Sequence, residues 1–253
     1  KPSNRTRHSM EMAVVQLGGH PVYTRGEEVG IDVRESVEDI TNVMSGYHAM
    51  LCARVFEHSV LHRMAAVSSV PVVNMLSDVA HPLQAVADVL TMEQHLGDLQ
   101  GKTVTYVGDF NNVARSLCEA SAMLGMHIRL GCPEGYDAQD NELLGLTELG
   151  AASVEQYRDI AIAVNGAHAV HTDTWTSMGQ ESESAEREAV FAGFEVTNEI
   201  MSLADSSAIF MHCLPAHRGQ EVSPSVIDGP QSKIYPQAHN RMHAARGVLA
   251  FLM

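Results

Sequence analysis

Thr103-Val104-Thr105-Tyr106-Val107-Gly108-Asp109-Phe110-Asn111-Asn112 sets an apolar, β-branched run of strand length directly before a turn rich in Gly, Asp and Asn. The same kind of run recurs at residues 21–24, 49–53, 71–75, 127–131, 169–172, 208–212 and 232–235. Between the runs lie stretches in which apolar residues return at three- and four-residue steps, as in Met10, Ala13, Val14 and Leu17, or Val37, Ile40, Val43 and Met44. Alternating strand and helix patterns predict parallel sheets covered by helices. Three strands precede a long helix expected at about residues 82–95, and five follow the turn at 97–102. The expected architecture is α/β, with two doubly wound parallel-sheet domains joined by that helix and a terminal helix near residues 236–252.

The chain has 253 residues, 45% hydrophobic and 19% charged, enough to build a sizeable core and unlike a disordered or collagen-like chain. Sixteen Lys and Arg face 31 Asp and Glu, a net charge of −15, which argues against nucleic acid or an anionic membrane as partner. An anionic ligand must therefore meet a local cationic pocket. Cys52, Cys118, Cys132 and Cys213 form no C-x-x-C, so neither a disulfide framework nor a zinc ribbon is expected. A reducing compartment fits, and a cytoplasmic location is expected. No apolar run approaches the roughly 18 to 20 residues that span a bilayer.

Five polar clusters sit where such a fold puts ligands, at the carboxyl end of a strand or the start of the following helix. Ser3-Asn4-Arg5-Thr6-Arg7 offers hydroxyls, guanidiniums and backbone N–H groups at a helix N-terminus, which suits a phosphate dianion and equally a capped helix. Because such a loop normally follows the carboxyl end of a strand, a strand upstream of Lys1 is expected. His81-Pro82-Leu83-Gln84 supplies an imidazole and an amide, and Asp109-Phe110-Asn111-Asn112 supplies two amides. The stretch from Asp173 to Glu181 holds the only tryptophan and reads as a substrate loop. His212-Cys213-Leu214-Pro215 carries a thiol beside an imidazole, with His217 nearby, but positions 212, 213 and 217 lack the helical pair or knuckle of a metal site, so no metal is expected.

These residues carry a resemblance to the ornithine branch of the aspartate and ornithine carbamoyltransferases. The family's S-T-R-T-R reads here as Ser3 to Arg7, H-P-x-Q as His81 to Gln84, and D-G-x-N-N or D-G-N-N as Asp109 to Asn112. D-x-W-x-S-M-G-Q-E reads as Asp173 to Glu181, H-C-L-P as His212 to Pro215, and E-N-R-x-H-A as His239 to Ala244. The S-M-G and H-C-L-P pair is specific to the ornithine branch.

The resemblance implies transfer of the carbamoyl group of carbamoyl phosphate to the side-chain amine of L-ornithine, giving L-citrulline and phosphate, in a homotrimer without cofactors. It implies a carbamoyl-phosphate domain at residues 1–85, completed by the helix 236–253, and an ornithine domain at 86–235. Carried over position by position, Ser3, Asn4, Arg5, Thr6, Arg54, His81, Gln84 and Arg241 hold carbamoyl phosphate, while Cys213 and Leu214 touch both substrates. Asn112, Asp173, Ser177 and Met178 hold ornithine, and the catalytic group is Cys213, Arg54, His81 and Asp173. Asn4 stands where the family has Thr, and Phe110 where a Gly usually follows the Asp. Two alternatives stand beside this reading: a carbamoyltransferase for a related amine such as putrescine or an acylated ornithine, and a non-catalytic paralogue serving as an oligomeric subunit.

Overall fold

Every strand pairing within the sheets is parallel, as alternating β and α elements require. The computed structural model describes residues 3–177 and 179–253. Contacts divide them into two units, one of residues up to Gln84 with Arg241–Met253, the other Ala85–Asn240.

The first unit runs through α1 (Asn4–Gln16), α2 (Gly26–Val29), α3 (Val37–Ser45), β1 (Leu51–Arg54), α4 (His58–Val67) and β2 (Val72–Leu76) into the first turn of α5 (Pro82–Leu96). Helix α1 starts where it does because Ser3 caps it, its hydroxyl accepting the Thr6 N–H at 3.3 Å. One face of α1 buries Met10 and Ala13 against Val73 and Met75 of β2, Leu83, and Ala245 and Leu249 from the C-terminal stretch.

The second unit continues α5 and adds β3 (Thr103–Val107), α6 (Asn112–Met123), β4 (His127–Gly131), α7 (Asp140–Glu148), β5 (Ser153–Tyr157), α8 (Ile160–Val164), β6 (Ala169–Thr172), α9 (Ser184–Phe191), α10 (Asn198–Met201), β7 (Ile209–His212), α11 (Pro224–Ile227) and α12 (Ile234–Leu252). From Arg241 onward α12 belongs to the first unit. The strand order is β5-β4-β3-β6-β7. Alternate residues of the buried strands feed opposite faces: Val104, Tyr106, Ile209 and Met211 meet Ala114, Leu117 and Cys118 of α6, whereas Val107, Val170 and Phe210 meet Val164, Val226 and Ile227. Each large apolar side chain so buried contributes about 1.5–3 kcal/mol. The chain leaves β3 toward β4 and returns at β6 on the other side, so β3 and β6 flank the switch point where open α/β sheets bind ligands.

Three expectations for the strands need correction. Residues 21–24 adopt no regular structure: Val22 and Tyr23 are exposed, so the run has no face to bury, and the Tyr23 ring instead lies 3.9 Å from the Arg7 guanidinium. Residues 232–235 form only a parallel bridge from Ser232 to Phe210 before α12 begins at Ile234. Pro236 explains the change, since it has no N–H for a ladder and fits the first turn of a helix. Strand β5 was not among the expected runs; its sequence Ser153-Val154-Glu155-Gln156-Tyr157 is half polar because it is an edge strand with partly exposed residues. Among the described residues two strands thus precede α5 rather than three, while five follow it.

Candidate active site

In the first unit two guanidiniums converge on one hydroxyl. Thr6 is buried, and its Oγ1 accepts from Arg54 Nη1 at 3.4 Å and from Arg241 Nη2 at 3.2 Å. Arg54 ends β1, and the buried Arg241 comes from α12, where Gln84 Oε1 steadies it by accepting from Nη1 at 2.5 Å. A hydroxyl that accepts two bonds keeps its own hydrogen for a ligand oxygen. Two guanidiniums converging on one neutral oxygen concentrate positive charge there, and the geometry suits a phosphate held by guanidinium forks. His81 is buried directly before α5, with its carbonyl accepting the Gln84 N–H at 3.0 Å. Asn4 and Arg5 occupy the exposed first turn of α1 beside the cap residue Ser3. Arg7 is directed elsewhere, to Glu11 at 2.8 Å.

The second unit gathers its candidates at the ends of β3, β6 and β7. Gly108 takes the positive φ of 130° that turns the chain out of β3. Phe110, which stands where the family usually has Gly, tucks into the core beside Leu117 and donates its N–H to Tyr136 O at 2.8 Å. Asn112 keeps its place in the first turn of α6. Asn111 caps that helix, its Oδ1 accepting from Val113 and Ala114 N–H, while its Nδ2 donates to Asp173 Oδ2 at 3.1 Å. The buried Asp173 carboxylate receives two further bonds at Oδ1, from Thr174 N–H at 2.8 Å and from the Cys213 thiol at 3.0 Å. Ser177 is half-buried in the loop after Asp173, its N–H donating to Gln180 Oε1, and Met178 lies outside the described residues.

Beneath Cys213, His212 is fixed in one tautomer. Its Nδ1 accepts the Leu214 N–H at 2.9 Å, so the proton resides on Nε2 and is donated to Glu221 Oε1 at 3.0 Å. Leu214 adopts a left-handed φ of 60°, a conformation that costs about 1–3 kcal/mol outside glycine and needs such support. Burial pushes the Glu221 carboxyl up, but the bonds from His212 and from the His217 N–H outweigh it and hold the group below its ordinary value. Gln237 carries the strand end itself: Oε1 accepts the His212 N–H at 2.8 Å, which turns Nε2 toward Asp88 Oδ1 at 2.7 Å and His171 Nε2 at 3.0 Å. Burial, followed by the neighbouring His212, lowers the His171 pKa to about 3 and keeps the ring neutral. Asp173, His212 and Cys213 bring their ligand atoms within 4.8 Å of one another, a metal-like grouping that chain spacing did not show. Both His212 nitrogens are already engaged by protein groups.

The structure therefore brings Thr6, Arg54, Gln84 and Arg241 together in one unit and Asp173 and Cys213 together in the other. Glu221 and Gln237 were not foreseen as functional, since each acts by holding His212 in place, and Asn111, one of the two amides of its cluster, holds Asp173.

A family model described as the aspartate/ornithine carbamoyltransferase carbamoyl-P binding domain matches residues 1–94, and the Asp/Orn binding domain of the same description matches residues 100–252. The chain belongs to the aspartate/ornithine carbamoyltransferase family. Within the family this carbamoyltransferase is 47% identical over 258 residues to the ornithine carbamoyltransferase of Hyperthermus butylicus, covering all of this chain and 82% of that one. The solved ornithine carbamoyltransferase of Pyrococcus furiosus superposes with a TM-score of 0.95 at 42% identity, again over 100% of this chain and 82% of the other. An acetylornithine transcarbamylase solved with acetylcitrulline is more distant, at 27% identity and a TM-score of 0.85 over 100% of this chain and 86% of that one. The two parallel-sheet units thus correspond to the family's two binding domains.

Proposed function

We propose that the protein is an enzyme that transfers the carbamoyl group of carbamoyl phosphate to the side-chain amine of L-ornithine, giving L-citrulline and phosphate. The observation that carries this reading is the Asp173 carboxylate bonded at 3.0 Å to the Cys213 thiol, a paired acceptor for an attacking amine. An ammonium has no lone pair, so the amine must lose a proton before it attacks, and a carboxylate in a desolvated site can bind the cation and then orient the free base. Ser177, Met178 and Asn112 are read as holding the amino and carboxylate end of ornithine.

Carbamoyl phosphate is assigned to the first unit, where Arg54 and Arg241 provide the charge and Ser3, Asn4, Arg5, Thr6, His81 and Gln84 the remaining donors. As the amine nitrogen bonds to the carbonyl carbon, negative charge develops on the carbonyl oxygen. The Thr6 hydroxyl, Arg54 and His81 are the oxyanion donors in this reading, and Cys213 and Leu214 complete the contacts to the reacting groups. The intermediate collapses with cleavage of the bond from carbon to the bridging oxygen, phosphate leaves with that electron pair, and the second amine proton passes to it. In this reading the first amine proton goes to solvent before attack and the second to the departing phosphate, so the step balances without a metal or organic cofactor.

The reading carries with it a homotrimer working in a reducing, cytoplasmic setting. All four cysteines are free, and among the described residues no helix is long and apolar enough to cross a membrane. Purified protein given carbamoyl phosphate should form citrulline with ornithine far faster than it carbamoylates putrescine or N-acetylornithine. Preference for either of those amines, or no transfer at all, overturns the assignment. Light scattering on a sizing column should give three times the chain mass.

A further inference from the structure

Behind the Asp173 loop lies an arginine that the proposed chemistry leaves unused. Arg187 sits in α9, is 5% exposed, and reaches three points at once. Its Nη1 donates to Asp109 Oδ2 at 2.8 Å and to the Trp175 carbonyl at 2.9 Å, and its Nε donates to Glu183 Oε2 at 3.0 Å. The guanidinium also lies 4.9 Å from the centre of the Tyr136 ring. Asp109 is two residues before Asn111, which binds Asp173, and Asp173 is two residues before Trp175. The contacts therefore close a ring: Asp109 along the chain to Asn111, across to Asp173, along the chain to Trp175, and through Arg187 back to Asp109.

We infer that Arg187 is a positioning residue for the amine substrate, clamping the loop from Asp173 to Glu183 onto the β3–α6 turn so that Asp173, Ser177 and Asn112 keep one arrangement. The planar guanidinium reaches the three acceptors from two separated nitrogens, Nη1 and Nε, a spread that the compact ammonium of Lys lacks. Trp175 itself is buried and stacks on Phe191 at 5.9 Å, so the clamped backbone is packed as well as bonded. Burial holds the Asp109 carboxyl above its ordinary pKa although Arg187 opposes it, so removing the cation raises it further and loses the bond that closes the ring. The inference rests on the reading that ornithine binds at Asp173, and it predicts a defect confined to that substrate.

The test uses Arg187→Gln, Arg187→Lys and Glu183→Gln in the full chain. Steady-state KM is measured for each substrate, together with acrylamide quenching of Trp175, the only tryptophan. In Arg187→Gln the ornithine KM should rise about tenfold or more, as expected for loss of a charge-assisted bond, with the carbamoyl phosphate KM within about twofold. Quenching should increase in the free enzyme and return toward the parent level with saturating ornithine. Arg187→Lys should behave nearly like Arg187→Gln. Glu183→Gln, at a half-exposed acid whose replacement leaves the other two Arg187 acceptors in place, should shift both readouts in the same direction by less. An ornithine KM and a quenching constant at parent values overturn the inference, as does a parallel rise of both KM values. If Arg187→Gln does not fold, parent-like behaviour of Glu183→Gln overturns it alone. A parent enzyme that makes no citrulline removes the proposed reaction, while the quenching of the free proteins still reports whether Arg187 clamps the loop.

Discussion

Replacing Asp173 by Asn keeps the side chain's size and its bond to Asn111 but removes the charge to which Cys213 donates at 3.0 Å. A charge-assisted bond is worth about 1.5–3 kcal/mol, so Asp173→Asn should lower kcat/KM for ornithine by roughly 10- to 100-fold or more and leave carbamoyl phosphate binding nearly intact. Arg54→Gln should fail differently, weakening carbamoyl phosphate binding and lowering kcat by about 10²-fold or more, as loss of an oxyanion donor does. Cys213→Ser should fall between the two, because a hydroxyl still donates to Asp173 without the thiol's size or acidity. Equilibrium binding of carbamoyl phosphate beside steady-state citrulline formation separates the three, and an Asp173→Asn enzyme that turns over ornithine normally refutes the division. At this scale His81, Asp173 and Cys213 were read from polar runs that follow strands, whereas Arg54 was read only from the family resemblance. Arg187 and Glu221 stayed hidden, since their meaning lies in partners that only the fold brings near: Asp109 is far from Arg187 in the chain, and Glu221 is buried under His212.

Among the elements, β6 carries a pH dependence of its own. His171 is wholly buried, neutral, and stacked on Tyr106 at 5.7 Å. Below pH 6.5 the unfolded chain takes up a proton that the folded ring refuses until about pH 3, so stability should fall as pH drops through that window. The slope from this one group is about 1.4 kcal/mol per pH unit, and it vanishes above its ordinary pKa. Urea unfolding of the parent and of His171→Gln between pH 5 and 6.5, above the carboxylate range, measures the difference; equal slopes would show that the folded ring does protonate. The elements also show where pattern reading succeeds. Strands β3, β6 and β7 are buried throughout and show as runs rich in apolar and β-branched residues, whereas the edge strand β5 carries Ser153, Glu155 and Gln156 and passed unseen. Residues 21–24 read as a strand because an apolar run says nothing about whether a neighbouring strand exists to pair with it.

For the whole molecule, the first unit is made from two separated stretches of chain. Helical periodicity places a helix near the C-terminus and is silent on which unit it joins, because that depends on Ala245 and Leu249 finding Met10, Ala13 and Val73. Leu249→Ala should cost about 2–5 kcal/mol in denaturant unfolding, the usual range for a buried Leu truncated to Ala. It should also weaken carbamoyl phosphate binding by loosening the helix that carries Arg241. A loss below about 0.5 kcal/mol, as at a surface site, would show that this contact does not hold the unit together.

The split construction of the first unit also sets an order in time. A ribosome completes Thr6, Arg54 and Gln84 well before it reaches Arg241, because the whole of Ala85–Asn240 is translated in between. At about 5–20 residues per second that interval is on the order of ten seconds, long beside the folding time of a small domain. Throughout it Met10, Ala13 and Val73 lack their cover from Ala245 and Leu249, and Arg54 waits for the second guanidinium. Until then the nascent first unit leaves that apolar face uncovered, and its two guanidiniums come together only after the rest of the polypeptide has been made.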